Sequence, residues 1–326
     1  MVGSFEVIIE NAYLKYEFTI SRNITVIRGE SATGKTTLVE MIRAYNEQED
    51  SGITIKCQKP LVVVYGKEWQ RQIENTANSI IFIDEVSRFT KTIEFAETIK
   101  GTDNYYVIVT REKLTVLPYS ITEIYGIRTS GKYARLTEEY TENRFFRIYG
   151  KTPTIEFKPD IIITEDSNSG HEFWENAVKS CECVSANGKG NIVNTLKEIT
   201  KNDKKYLVIV DGAAFGSEIE EMIQYMKYKN PSVEVYAPES FEYLILSSGL
   251  FNDKEIMDRI YNTSEYADSV RYMSWEQFYT SYLTEITNRT KMKYNKQSLN
   301  VYYLSEKNMR MIIKQLPEIL DVHSQK

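Results

Sequence analysis

Histidine is almost absent: the chain has two in 326 residues, His171 and His323. That leaves nearly nothing for a histidine-based hydrolase triad and excludes a metal site built from several imidazoles. Cysteine is scarce too, and Cys57, Cys181 and Cys183 are too few and too unevenly spaced for a disulfide framework or a four-ligand zinc site. They read as buried or idle thiols. No apolar run approaches the roughly 18 to 20 residues that a membrane span needs. The opening MVGSFEVIIENAYLKYEF alternates in polarity and lacks a basic segment followed by a long apolar one, so no secretory signal and no membrane partner is expected. A cytoplasmic protein is the expectation. An excess of positive charge is missing as well: Lys and Arg total 40 against 46 Asp and Glu, a net charge of −6. A globally basic nucleic-acid binder is thereby disfavoured, although a local patch is not.

The chain does have the makings of a core, with 42% apolar and 26% charged residues. At roughly 100 to 200 residues per domain, its length predicts two domains. One stretch gathers cations: Arg289, Lys291, Lys293, Lys296, Lys307, Arg310 and Lys314 face the single acid Glu306, with Tyr294, Tyr302 and Tyr303 between them. It reads either as a solvated helical tail with its tyrosines packed inward or as a nucleic-acid surface, the tail being favoured.

Periodicity organises the rest. FEVIIEN and LKYEFTI alternate as two short strands joined by a turn, and NITVIRG runs from a third strand into a glycine turn. A helix is predicted from Thr36, then strands at GITIKC, PLVVVYG, SIIFIDE, NYYVIVT, ITEIYGI and YARLTEEY, with short helices over 67–77 and 89–100. Continuous apolar strands separated by helices indicate a parallel sheet covered on both faces. Residues 141–160, with Pro153 and Pro159, read as a connection holding one candidate strand. The α/β pattern then restarts at DIIITED, CECVSANGKG, KKYLVIVDG and VEVYAPES, with helices over 170–180, 190–200 and 217–229. Residues after 239 are rich in helix formers and tyrosine.

The segment Gly29, Glu30, Ser31, Ala32, Thr33, Gly34, Lys35, Thr36 has the spacing of a phosphate-binding loop between an apolar strand and a helix. Glycines let successive amide groups turn inward on a phosphate, and the helix N-terminus favours its charge. Lys35 is placed to reach the β- and γ-phosphates and Thr36 to ligate Mg²⁺, and Thr37 is counted with the nucleotide-binding residues. SIIFIDE ends a buried strand in Asp84 and Glu85, the first suited to hold Mg²⁺ and the second to orient or deprotonate an attacking water. Thr110 and Arg111, ending the next apolar run, stand where a γ-phosphate sensor is often placed.

GESATGKT and IIFIDE together resemble a P-loop NTPase core, and the entry strands are similar to the start of ABC-type ATPases, including those of the OLD family. No LSGGQ-like signature precedes Asp84, which lies 49 positions after Lys35, and no NKxD segment reads guanine. The resemblance implies ATP with Mg²⁺. Glu165 and Asp211 close two apolar strands of the second α/β pattern, with SANGKGN at the same edge, where open α/β sheets place ligands. This half resembles the Toprim domain that follows the ATPase in OLD-family nucleases. The resemblance makes Glu165 and Asp211 a candidate second metal site, but Ser169 and Ala213 stand where that family has its other two acids.

The expected architecture is therefore α/β: a P-loop NTPase sheet with flanking helices over 1–145, a linker over 146–160, a Toprim-like domain over 161–240 and a mostly helical region over 241–326. The leading reading is an ATPase coupled to a Toprim-like domain with an eroded metal site. An ATP-gated nuclease and a nucleotide-dependent scaffold with little turnover stand beside it. A protein partner, a homo-oligomer and nucleic acid are open as partners.

Overall fold

Alternation shapes the first two strands. In β1 (Phe5–Glu10) Phe5, Val7 and Ile9 are buried while Glu6 is exposed, and β2 (Leu14–Ile20) buries Tyr16, Phe18 and Ile20. Between them the Asn11 carboxamide accepts the amides of Tyr13 and Leu14 at 2.9 and 2.8 Å, an Asx turn that makes the pair antiparallel. The computed structural model describes residues 1–29, 34–128, 141–149, 157–201, 203–228, 232–318 and 320, with backbone alone at 141–144. It divides into two units, Met1–Gly150 with Ser264–Ser274, and Lys151–Thr263 with Trp275–Lys326. Both are α/β.

In the first unit β3 (Ile24–Ile27) leads to α1 (Lys35–Glu47), β4 (Thr54–Lys56), β5 (Leu61–Val63), α2 (Trp69–Glu74), β6 (Ser79–Ile83), α3 (Ile93–Ile99), β7 (Asn104–Val109), β8 (Ile124–Arg128) and β9 (Thr141–Arg147). The sheet order is β4-β1-β2-β9-β8-β3-β7-β6-β5. Strands β5, β6, β7, β3 and β8 run parallel, and every residue of β3, β6 and β7 is buried, as a strand covered on both faces requires. The sheet as a whole is mixed, which corrects the expectation of a parallel one. β1 pairs antiparallel with β2 and β4, and β9 antiparallel with β8 but parallel with β2. Two-faced apolar runs identify the centre of a sheet but not the direction of strands added at its flank. The expected strand YARLTEEY lies outside the described residues.

Helix α1 covers part of this sheet with Leu38, Val39, Met41 and Ile42, which join a core containing Ile27, Phe82 and Val107. The segment Ser264–Ser274 returns to this unit through polar contacts: Ser264 O accepts the Gly3 amide at 2.7 Å, and Tyr272 O accepts the Asn23 amide group at 2.7 Å.

The second unit carries β10 (Ile161–Thr164), α4 (Ser169–Ala177), β11 (Glu182–Ser185), α5 (Ile192–Ile199), β12 (Tyr206–Ile209), α6 (Ile219–Tyr228) and β13 (Val233–Tyr236). The four strands are all parallel, in the order β11-β10-β12-β13. The helices α7 (Phe241–Ser247), α8 (Lys254–Tyr261), α9 (Trp275–Thr287) and α10 (Glu306–Ile313) belong to the same unit, α7 packing on α8, α9 and α10. No helix among the described residues is long and apolar enough to cross a membrane.

The order places a reversal between β10 and β12: the chain moves from β10 outward to β11, then back across to β12. A crevice outside the strand ends at such a reversal is where an open α/β sheet receives a ligand. Gly212, just past β12, fixes the wall of that crevice. Its amide donates to Pro238 O at 2.6 Å, and a Cβ there would stand 2.7 Å from Ala237 O and 2.8 Å from Pro238 O. Gly212→Ala is expected to destabilise the second unit by about 1 to 3 kcal/mol, because the obstacle is backbone with no rotamer to adopt; the shift of its urea midpoint measures this.

Candidate functional site

The first candidate site lies at the C-terminal edge of β3, β6 and β7. Gly34 stands before α1 with φ 83° and ψ 6°, a left-handed turn that glycine adopts without strain. The first turn of α1 holds no acidic side chain of its own, which suits the positive end of a helix to an anion. The Tyr16 hydroxyl donates to Gly34 O at 2.8 Å and so pins the turn to β2. Glu30, Ser31, Ala32 and Thr33 lie outside the described residues. Thr36 is exposed and Thr37 half-buried on the opening turn of α1.

Lys35 is only 4% exposed, and its Nζ donates to Gly29 O at 2.7 Å. Burial lowers its pKa below the ordinary lysine value, with the Arg111 charge adding to that and the charges of Glu85 and Asp84 opposing it. The two acids, some fifty residues further along the chain, thus act electrostatically on this amine. Asp84 and Glu85 follow β6 and are half-buried, and the Asp84 carboxylate accepts the Glu85 amide at 2.7 Å. Arg111, just past β7, holds Glu85 Oε1 at 2.6 Å from its Nε. Thr110 turns toward its own chain instead, its Oγ1 accepting the Glu112 amide at 3.0 Å. The Arg111–Glu85 pair and the Tyr16 tether are not legible in the sequence, since each joins residues far apart along it.

The second candidate site lies at the reversal between β10 and β12. Both strands are buried throughout, and their ends bring Glu165 and Asp211 together: the Asp211 amide donates to Glu165 Oε2 at 3.4 Å. Asp211 Oδ1 accepts the Phe241 amide at 3.1 Å. Burial pushes the Glu165 carboxyl up to about 7, and the charges of Glu276 and Asp166 push the same way while Lys189 and the Asp211 amide oppose. Burial also raises Asp211 well above the ordinary carboxylate value, reinforced by Glu276, Glu242 and Glu165.

Glu242 and Glu276 carry no sequence signal here. Glu242 on α7, 1% exposed, accepts the Tyr294 hydroxyl at 2.8 Å through Oε1, and its Oε2 has no hydrogen-bond partner among the described residues. Ser169 is bonded to the same Tyr294 hydroxyl at 2.7 Å. Glu276 on α9 holds Lys296 Nζ at 2.5 Å. Burial works against the Lys296 charge, but Glu242, Glu276 and Asp211 outweigh it and hold that amine above the ordinary lysine value. Lys296 had read as one cation of a solvated stretch; it points into the acidic cavity instead. Tyr294 and Tyr303, 1% and 0% exposed, are packed inward.

No protein-family model matches the chain, and no curated protein matches it.

Proposed function

We propose that the chain binds ATP with Mg²⁺ at the turn between β3 and α1, hydrolyses it, and couples that cycle to a Toprim-like second unit. The observation that carries this reading is the convergence of a buried lysine, a helix N-terminus and two strand-end carboxylates at the C-terminal ends of the parallel strands of the first sheet. An ammonium beside a helix N-terminus suits a polyphosphate. The oxygens of Thr36 and Asp84 are hard donors of the kind that would suit Mg²⁺. When bound, Mg²⁺ neutralises charge on the β- and γ-phosphates. Lys35 orients the γ-phosphate, Glu85 positions the attacking water and accepts its proton, and Arg111 passes from Glu85 to the phosphate as charge develops there.

Coupling has a covalent route, because the backbone passes between units at 150–151, 263–264 and 274–275. The test is an ATPase assay on pure protein with and without DNA or RNA, together with Glu85→Gln. The wild type is expected to turn over ATP, and the variant to bind ATP while losing about 10² to 10⁴ in rate, the usual range for a general base. Equal turnover in both proteins removes Glu85 from this role.

A further inference from the structure

In the second unit the acidic edge is poorly suited to the divalent ion that a Toprim-like resemblance implies. Ser169 and Ala213 supply no charge, and the Ser169 hydroxyl is engaged by Tyr294. Among the described residues no group of three or more acids, histidines or thiols is disposed to hold a metal ion. Yet the cavity lined by Glu165, Asp211 and Glu242 demands positive charge, since these carboxylates sit beside one another in little solvent. The buried Glu242 Oε2, without a hydrogen-bond partner, marks the demand independently.

A lysine lines it as well. Lys296 lines the same cavity, holds Glu276 at 2.5 Å through its amine, and lies in the field of Glu242 and Asp211, while Lys189 is the cation that acts on Glu165. Lys296 is not a loose surface chain. The Lys296 carbonyl accepts the Ser169 amide at 2.9 Å, and two residues earlier Tyr294 is anchored through its amide to Thr287 and through its hydroxyl to Glu242.

We propose that Lys296 is a built-in cation standing where a divalent metal would otherwise sit, so that this edge works without metal and is closed to it. A fixed monocation satisfies part of the acidic field, repels Mg²⁺ or Mn²⁺ from contact distance, and offers no open coordination position for a water or a phosphodiester. Metal-dependent strand cleavage is thereby excluded for this edge while Lys296 stays in place. The inference does not depend on the nucleotide reading, because every residue it uses lies in the second unit.

The probe is Mn²⁺ titrated into the nucleotide-free full chain, followed by the electron paramagnetic resonance of the free ion and by thermal unfolding. The wild type and Lys296→Arg are expected to show no Mn²⁺ site that Asp211→Asn removes. Lys296→Met is expected to gain one such site, bound at least about a hundredfold more tightly than by wild type because a nearby like charge is gone, and to lose it in the Lys296→Met/Asp211→Asn double variant. A wild-type site abolished by Asp211→Asn overturns the proposal, and so does a folded Lys296→Met that binds Mn²⁺ no better. Should Lys296→Met fold only with metal, its recovery by Mn²⁺ but not by the same ionic strength of Na⁺ supports it, while the wild-type comparison with Asp211→Asn decides regardless.

Discussion

Lys35→Ala is expected to lower ATP turnover by about 10² to 10³ and to raise the dissociation constant of ATP by a comparable factor. The reasoning is electrostatic. One unit charge about 4 Å from another, at the effective dielectric of a partly enclosed site, is worth about 4 kcal/mol before desolvation is subtracted, and a tenfold change needs about 1.4 kcal/mol. Lys35 is buried beside Gly29, to whose carbonyl its amine already donates, so part of its desolvation is met before phosphate arrives. The fold should survive the change. The lost amine leaves Gly29 O able to reach water, and Glu85 keeps Arg111 as its partner at 2.6 Å. A fluorescent ATP analogue gives the affinity, phosphate release gives the rate, and circular dichroism checks the fold. Full turnover in folded Lys35→Ala would end the nucleotide reading.

The glycine turn and the strand-end acids of that candidate site were legible because each is local. A buried run such as SIIFI ends in acids, and a glycine turn precedes a helix, within a few residues each; strand ends on one sheet edge then meet by topology alone. The flank of the first sheet was harder to read. β9, TENRFFR, shows only a short alternation: Phe145 stacks on Phe18 with ring centroids 4.1 Å apart, while Phe146 is 39% exposed with the Arg128 guanidinium over its ring. Two aromatics do not specify a strand, and its place between β2 and β8 comes from pairing across more than a hundred residues on one side. The same limit hid Lys296. Charge patterning assigns a lysine among lysines to solvent, whereas its setting is decided by Ser169, 125 positions from the neighbouring Tyr294, and by Glu242 and Glu276 on other helices. The sequence carries the strand-end acids; what neutralises them is tertiary.

Through Glu165 alone, stability of the second unit is expected to fall by about 3 kcal/mol as pH rises from about 5 to 8, and Glu165→Gln is expected to remove that share of the slope. Glu165 titrates near 4.5 when unfolded and at about 7 in the fold, so between these values the unfolded chain has released a proton that the folded chain retains. Stability therefore decreases with pH through this interval, at about 1.4 kcal/mol per unit separating the two values. Its contribution is fully present below pH 4.5 and gone once pH exceeds the folded value of about 7. The surroundings fix the sign. Glu276 from α9 and Asp166 from the strand end raise the carboxyl, Lys189 and the Asp211 amide lower it, and burial outweighs each of them. Asp211, raised by the same burial with Glu276, Glu242 and Glu165, pushes in the same direction and is opposed by Lys296. Glutamine reproduces the neutral shape, so the variant should be more stable than wild type at pH 8 and nearly equal to it at pH 5. Urea unfolding followed by tryptophan fluorescence in a Trp69→Phe background reads the second unit alone, since Trp174 and Trp275 both lie in it. Equal slopes in the two proteins would mean that Glu165 is already ionised at neutral pH, and that the acidic edge holds more positive charge than Lys296 and Lys189 provide.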